Sequence, residues 1–127
     1  MNSTMTVLKI MPGRKPEQIT IPHTLDAMQY LVCGSIQAIY PYEDNVALVC
    51  NEEGKLLGLE PNRAVYDEDT SDILDIISGT FFICGLGEED FCSLSAQQLE
   101  RYSTLFHHPE AFFWNGSSLV ILHIDME

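Results

Sequence analysis

The stretch Asn51-Glu52-Glu53-Gly54-Lys55-Leu56-Leu57-Gly58-Leu59-Glu60-Pro61-Asn62-Arg63 decides how the chain is read, because it is a punctuated bend fed by an apolar run. Val46 to Cys50 enter it as a strand. Glu52, Glu53 and Gly54 supply a tight reversal, Lys55 to Leu59 leave as a short strand broken at Gly58, and Pro61 imposes a new direction. Arg63 is one of six basic residues in the chain, and it follows Pro61-Asn62, where a loop can present a planar fork of donors to a ligand or to the protein's own carboxylates. Asn51, Glu52, Asn62 and Arg63 are therefore the candidate binding residues.

Working upstream, Thr6–Met11 alternates as a strand, Pro12-Gly13 turns it, and Glu17–Ile21 reads as its antiparallel partner. Thr24 is placed to cap a helix whose Leu25, Met28, Leu31 and Val32 recur at helical spacing, with Gly34 at the C-terminal cap. Ser35–Tyr40 and Val46–Asn51 follow as strands joined by the turn residues Pro41 to Asn45. Downstream, Asp67, Glu68, Asp69, Asp72 and Asp75 crowd into nine residues, expected as a solvated acidic loop with a short helix capped by Thr70 or Ser71. Thr80–Cys84 is an apolar run between glycines, which predicts a strand buried at the middle of the sheet. Ser95 with Gln98 makes a capping box ahead of a helix striped by Leu99, Tyr102, Leu105 and Phe106. Asn115-Gly116 between Ala111–Trp114 and Ser118–Ile124 predicts a closing hairpin or an edge strand.

The fold class that follows is α+β: a mainly antiparallel sheet of about five to seven strands with two helices packed on it. At 127 residues the chain is expected to be a single domain over 1–127, long enough to build its own core. No apolar stretch approaches the roughly 20 residues that a membrane helix needs, and the start lacks a basic region followed by an apolar core, so the expected location is the cytoplasm. Cys33, Cys50, Cys84 and Cys92 form no C-x-x-C pair, and three lie in apolar runs, so free and mostly buried thiols are expected.

Three segments together carry a family resemblance: Asn51–Arg63, Thr24-Leu25-Asp26-Ala27-Met28-Gln29 before it, and Gly79-Thr80-Phe81-Phe82-Ile83 after it. In this order and spacing they resemble a bacterial and phage family of unknown function, numbered 3846, that is encoded on phages, plasmids and integrated elements. The likeness runs from about Val7 to Phe106. The helix ends in Cys33-Gly34 where a glycine pair is more typical of the family, and the chain after Phe112 is peculiar to this protein. The resemblance implies an accessory protein of a mobile element and brings no catalytic residues.

Nineteen acidic against six basic residues give a net charge of −13 and a pI near 4.4. Direct binding to nucleic acid is disfavoured, because a phosphate backbone is held mainly by clustered Lys and Arg. The acidity either serves solubility alone or attracts a basic, nucleic-acid-binding protein partner. An EF-hand counted from Asp67 places Asp72 and Ser78 where glycine and glutamate belong, so no calcium site is expected. His107, His108, Glu110 and His123 offer metal-ligating side chains, but adjacent histidines point apart and suit a helix C-terminus better. Gly85-Leu86-Gly87 lacks the third glycine of a dinucleotide fingerprint and is followed by Glu88, Glu89 and Asp90, which repel phosphate. Neither P-loop, nor H-E-x-x-H, nor Ser-His-Asp spacing occurs. The reading is a non-catalytic protein with no cofactor or metal. It acts by protein–protein interaction, with imitation of DNA charge, as anti-restriction proteins practise it, as one form; the alternative is a small-ligand module with a pocket near Asn62 and Arg63.

Overall fold

Val46–Asn51 and Phe81–Leu86 lie side by side at the middle of a six-stranded antiparallel sheet in the computed structural model, which describes residues 3–125. Every residue from Val46 to Cys50 and from Phe81 to Cys84 is buried, which explains why these runs are apolar without alternation: both faces of the sheet are covered. In chain order the elements are β1 (Thr4–Ile10), β2 (Glu17–Pro22), α1 (Leu25–Val32), β3 (Ile36–Ile39), β4 (Val46–Asn51), β5 (Pro61–Tyr66), β6 (Ile73–Ser78), β7 (Phe81–Leu86), β8 (Phe91–Cys92), α2 (Ala96–Leu105), β9 (Glu110–Trp114) and β10 (Leu119–His123). The main sheet runs β2-β1-β7-β4-β3. The short β8 pairs with β7 at Gly85 on the side opposite β4, so it continues the edge that β1 begins. Two separate hairpins, β5-β6 and β9-β10, complete an α+β fold of two helices and ten strands among the described residues.

Register sorts the side chains into two cores. Leu8, Ile83, Leu48 and Ile39 are paired in one row across β1, β7, β4 and β3, and face α2 together with the β5-β6 hairpin. Val65 and Ile77 of that hairpin, with Leu94, Tyr102 and Phe106, close this face. On the other face Met5, Val7, Ala47, Val49, Phe82 and Cys84 meet Met28 and Val32 of α1.

Both helix starts are built as their sequences predict. Thr24 accepts from the Ala27 amide, and Ser95 with Gln98 forms the complete reciprocal capping box. At the end of α1 it is Cys33, with φ 63°, that takes the left-handed position assigned to Gly34. Lys55–Leu59 is not a strand: Leu59 N–H donates to Gly54 O and Gly58 N–H to Lys55 O, the paired bonds of a Schellman turn, with Gly58 at φ 71°. The acidic segment holds no helix either. Asp67 Oδ1 accepts from the amides of Asp69 and Thr70 to make a tight loop, and the apolar Ile73, Ile76 and Ile77 that follow pair into β6. Cys50 and Cys84 are buried free thiols, Cys92 is half-buried and Cys33 is exposed. No helix among the described residues is long and apolar enough to cross a membrane.

Candidate ligand cleft beside a buried arginine

Pro61 opens β5 instead of ending a loop, which a proline can do because the first strand position needs no donor. Asn62 and Arg63 therefore sit in a strand, and both are buried. Pairing of Pro61 with Ser78 and Arg63 with Ile77 leaves Asn62 as the extra residue of a bulge. The bulge aims its amide inward, where Nδ2 donates to Ile10 O and Gly79 O at 2.9 Å each. Arg63 is 1 % exposed, and its guanidinium donates to Phe106 O (3.0 Å from Nη2, 3.3 Å from Nε), Arg14 O (2.6 Å) and Asn62 Oδ1 (2.8 Å). Its partners are carbonyls, not the carboxylates that its surroundings in sequence suggest. The reason lies in α2: Phe106 is its C-cap, and a helix end presents unpaired carbonyls and the negative pole of its dipole. Arg63 caps α2 from a different element and ties it to the β1–β2 loop. Burial pulls its pKa below the ordinary value, while the charge of Glu110 pushes it back up.

Asn51 is also an internal tie. Its Nδ2 donates to Val32 O at the end of α1 (3.0 Å), and its Oδ1 accepts from the Glu53 amide (2.7 Å). Glu52 is exposed. The four candidate binding residues thus fall into two places, with Asn51 and Glu52 at the end of α1 and Asn62 and Arg63 under α2.

One residue beyond Arg63 the wall opens. A cleft of about 340 Å³ lies between β5, α2 and the β9-β10 hairpin, and Ala64 and Phe106 are shared between it and the surroundings of Arg63. One wall carries Tyr42 and Tyr102, whose rings stand 5.2 Å apart, and Arg101, whose guanidinium lies 5.7 Å over the Tyr102 ring. Arg101 reaches Glu68 Oε2 at 3.3 Å and Asp44 Oδ2 at 3.9 Å. Burial works to raise the Asp44 carboxyl, but hydrogen bonds from Gln98, Tyr102 and the Asn45 amide, with the charge of Arg101, hold it below its ordinary value. Burial pushes the Tyr42 and Tyr102 phenols well up. Tyr66, Asp67 and Glu110 also line the cleft. Glu110 has a side chain only 6 % exposed; its Oε1 accepts from the Ala64 amide (2.7 Å) and its Oε2 meets His123 Nε2 (2.8 Å). The last hairpin therefore folds back to bring His123 onto Glu110. Among the described residues no group of three His, Cys, Asp or Glu side chains is placed to hold a metal.

The acidic residues singled out in the sequence gather company here. Glu68 Oε1 accepts from the Glu43 amide at 2.7 Å, which joins the loop of Glu43 and Asp44 to the loop of Asp67, Glu68, Asp69 and Asp72, and of these Asp67 and Glu68 line the cleft. Asp75 stands apart in β6, paired with Lys55. Asp67 is held below the ordinary carboxylate range by the amides of Thr70 and Asp69.

The model of the domain of unknown function DUF3846 matches residues 5–107 of the chain. The chain belongs to this family. No curated protein and no solved structure matches it. The DUF3846 match contains the buried Asn62–Arg63 tie and the tyrosine wall, and it ends before Glu110 and the β9-β10 hairpin. The cleft is thus walled on one side by the family domain and on the other by a C-terminal hairpin beyond the match.

Proposed function

We propose that this DUF3846 protein is a non-catalytic accessory protein of a mobile genetic element, a phage, plasmid or integrated element, that binds a basic protein partner through the acidic mouth of its cleft. The origin rests on the resemblance of its three sequence segments to proteins encoded on such elements. The binding mode rests on one observation: the hydrogen bond from the Glu43 amide to Glu68 brings the loop of Glu43 and Asp44 beside the loop of Asp67, Glu68, Asp69 and Asp72, and among the described residues Arg101 reaches two of these six carboxylates, Asp44 and Glu68. Three of the other five basic residues are engaged elsewhere. Arg63 is buried, Lys9 pairs with Glu17, and Lys55 pairs with Asp75. Such a charge array steers a basic, nucleic-acid-binding protein in the cytoplasm and competes with its DNA, the manner of an anti-restriction protein.

The test is an anisotropy titration with a lysine- and arginine-rich peptide and, separately, with duplex DNA. The peptide should bind, and its affinity should drop about tenfold or more between ~50 and ~300 mM salt as the exposed charges are screened. DNA should not bind. Failure of the peptide to bind at low salt, or submicromolar binding of the duplex, overturns the proposal. The alternative, a small-ligand module near Asn62 and Arg63, is favoured only in that the cleft adjoins them; a ligand there should raise the melting temperature with little dependence on salt.

A further inference from the structure

We infer that the cleft is an anchor pocket for one arginine side chain of the basic partner, an inference that rests on the reading just given. Three features of the cleft itself carry it. Its volume of about 340 Å³ stands near the lower end of the roughly 300–1,000 Å³ of ligand pockets, which suits one long side chain. Tyr42, Tyr66 and Tyr102 line it, and aromatic faces attract a flat guanidinium more readily than a strongly hydrated ammonium. Glu110 lines it with a side chain 6 % exposed, held by the Ala64 amide on one oxygen and met on the other by His123, whose side chain is 59 % exposed.

The protein already shows how this wall receives a guanidinium. Arg101 lies over Tyr102 and reaches two carboxylates, Glu68 and Asp44. Asp67 and Glu110, which also line the cleft, pair with no Lys or Arg among the described residues. A second guanidinium entering from the acidic mouth would find the half-buried Tyr42 and Tyr66 and the carboxylates of Asp67 and Glu110, and would take the place of His123 on Glu110 Oε2. Anions are disfavoured here because the one lining guanidinium is already matched by Glu68 and Asp44. Arginine fits better than lysine because its fork addresses two oxygens at once.

The probe is a lysine-rich peptide with a single central arginine, titrated by anisotropy beside two matched peptides carrying citrulline or lysine at that position. Citrulline keeps the shape and removes the charge. The citrulline peptide should bind about tenfold more weakly, the size of one lost charge-assisted contact, and the lysine peptide should fall between. Glu110→Gln keeps an acceptor for the Ala64 amide, and Asp67→Asn keeps one for Asp69 and Thr70; each should erase most of the preference for arginine. Asp72→Asn, at the rim, should lower the affinity of all three peptides less than about twofold, the effect of one screened surface charge, and leave the preference intact. If the peptides bind equally well, or the preference survives both cleft variants, the anchor pocket is refuted while the acidic-face proposal stands. If none binds at low salt, both fall.

Discussion

The two faces of the main sheet are closed by one helix each, yet in different ways. Under α1 the contact is an apolar layer of Met5, Val7, Ala47, Val49, Phe82 and Cys84 against Met28 and Val32, and the helix end is held by Gly34 N–H returning to Gln29 O and by one buried amide, Asn51 Nδ2 donating to Val32 O. Under α2 the layer includes a buried arginine, a bulged asparagine and a tyrosine bonded to an aspartate. The end of α2 is capped by a side chain 43 positions away in sequence. The first face needs apolar volume in the right period and a single buried amide. The second holds polar groups whose pairing must be complete, since an unmatched buried donor or acceptor costs about 1–3 kcal/mol. The cleft opens on this second face, so the costly polar tie and the candidate site share one wall.

The comparison can be broken by substitution. Phe82→Ala, which empties the α1 face, should cost about 4 kcal/mol by cavity formation, measured by urea unfolding, and leave peptide binding at the cleft unchanged. Arg63→Ala should cost about 3 kcal/mol through a different route, by stranding the carbonyls of Phe106 and Arg14 with Asn62 Oδ1. It should also release α2, seen as faster amide exchange in that helix than in α1. A variant with native stability and native exchange would show that the arginine does not hold this face.

The pH dependence sharpens the same contrast. Asp44 has a folded pKa below its unfolded value of about 3.9, set by a burial penalty outweighed by hydrogen bonds from Gln98, Tyr102 and Asn45. The sign follows: its contribution is complete above the unfolded pKa and is lost as pH falls through the lower folded one. Asp44→Asn should therefore lower stability by about 1 kcal/mol at neutral pH and flatten the acid limb of the stability curve. An unchanged acid limb would remove Asp44 from the account. The smallest effect belongs to α1. Cys33 holds φ 63° with a side chain that disfavours it, so Cys33→Gly should stabilise by somewhat less than about 1 kcal/mol in thermal unfolding.

Much of the fold was legible because it is encoded locally. The Thr24 cap, the Ser95–Gln98 capping box, the Asn115-Gly116 turn and the two doubly buried runs each carry their own signal. Lys55–Leu59 was misread as strand because its alternation of Leu and Gly is equally served by a Schellman turn that leaves Leu56 and Leu57 exposed. The acidic segment hid β6, since its capping-type residues Thr70 and Ser71 serve a loop as well as a helix. Scarcity pointed to Arg63, but not to carbonyl partners, which depend on where a helix 43 residues later ends. The cleft was least legible. Tyr42, Tyr66, Arg101 and Tyr102 carry no signal of it; Asp67 and Glu68 stood out by their crowding, and Glu110 with His123 only as metal-ligating side chains.

The most direct test of the claim that the α2 face carries the function is a map of backbone amide shifts in the labelled protein, titrated with the single-arginine basic peptide at low salt. The account predicts that the largest changes fall on the amides of Tyr42, Ala64, Tyr66, Asp67, Arg101 and Glu110, with those of Met28, Val32 and Val49 unmoved. Changes concentrated on α1, or spread evenly over all exposed acidic residues, would contradict it.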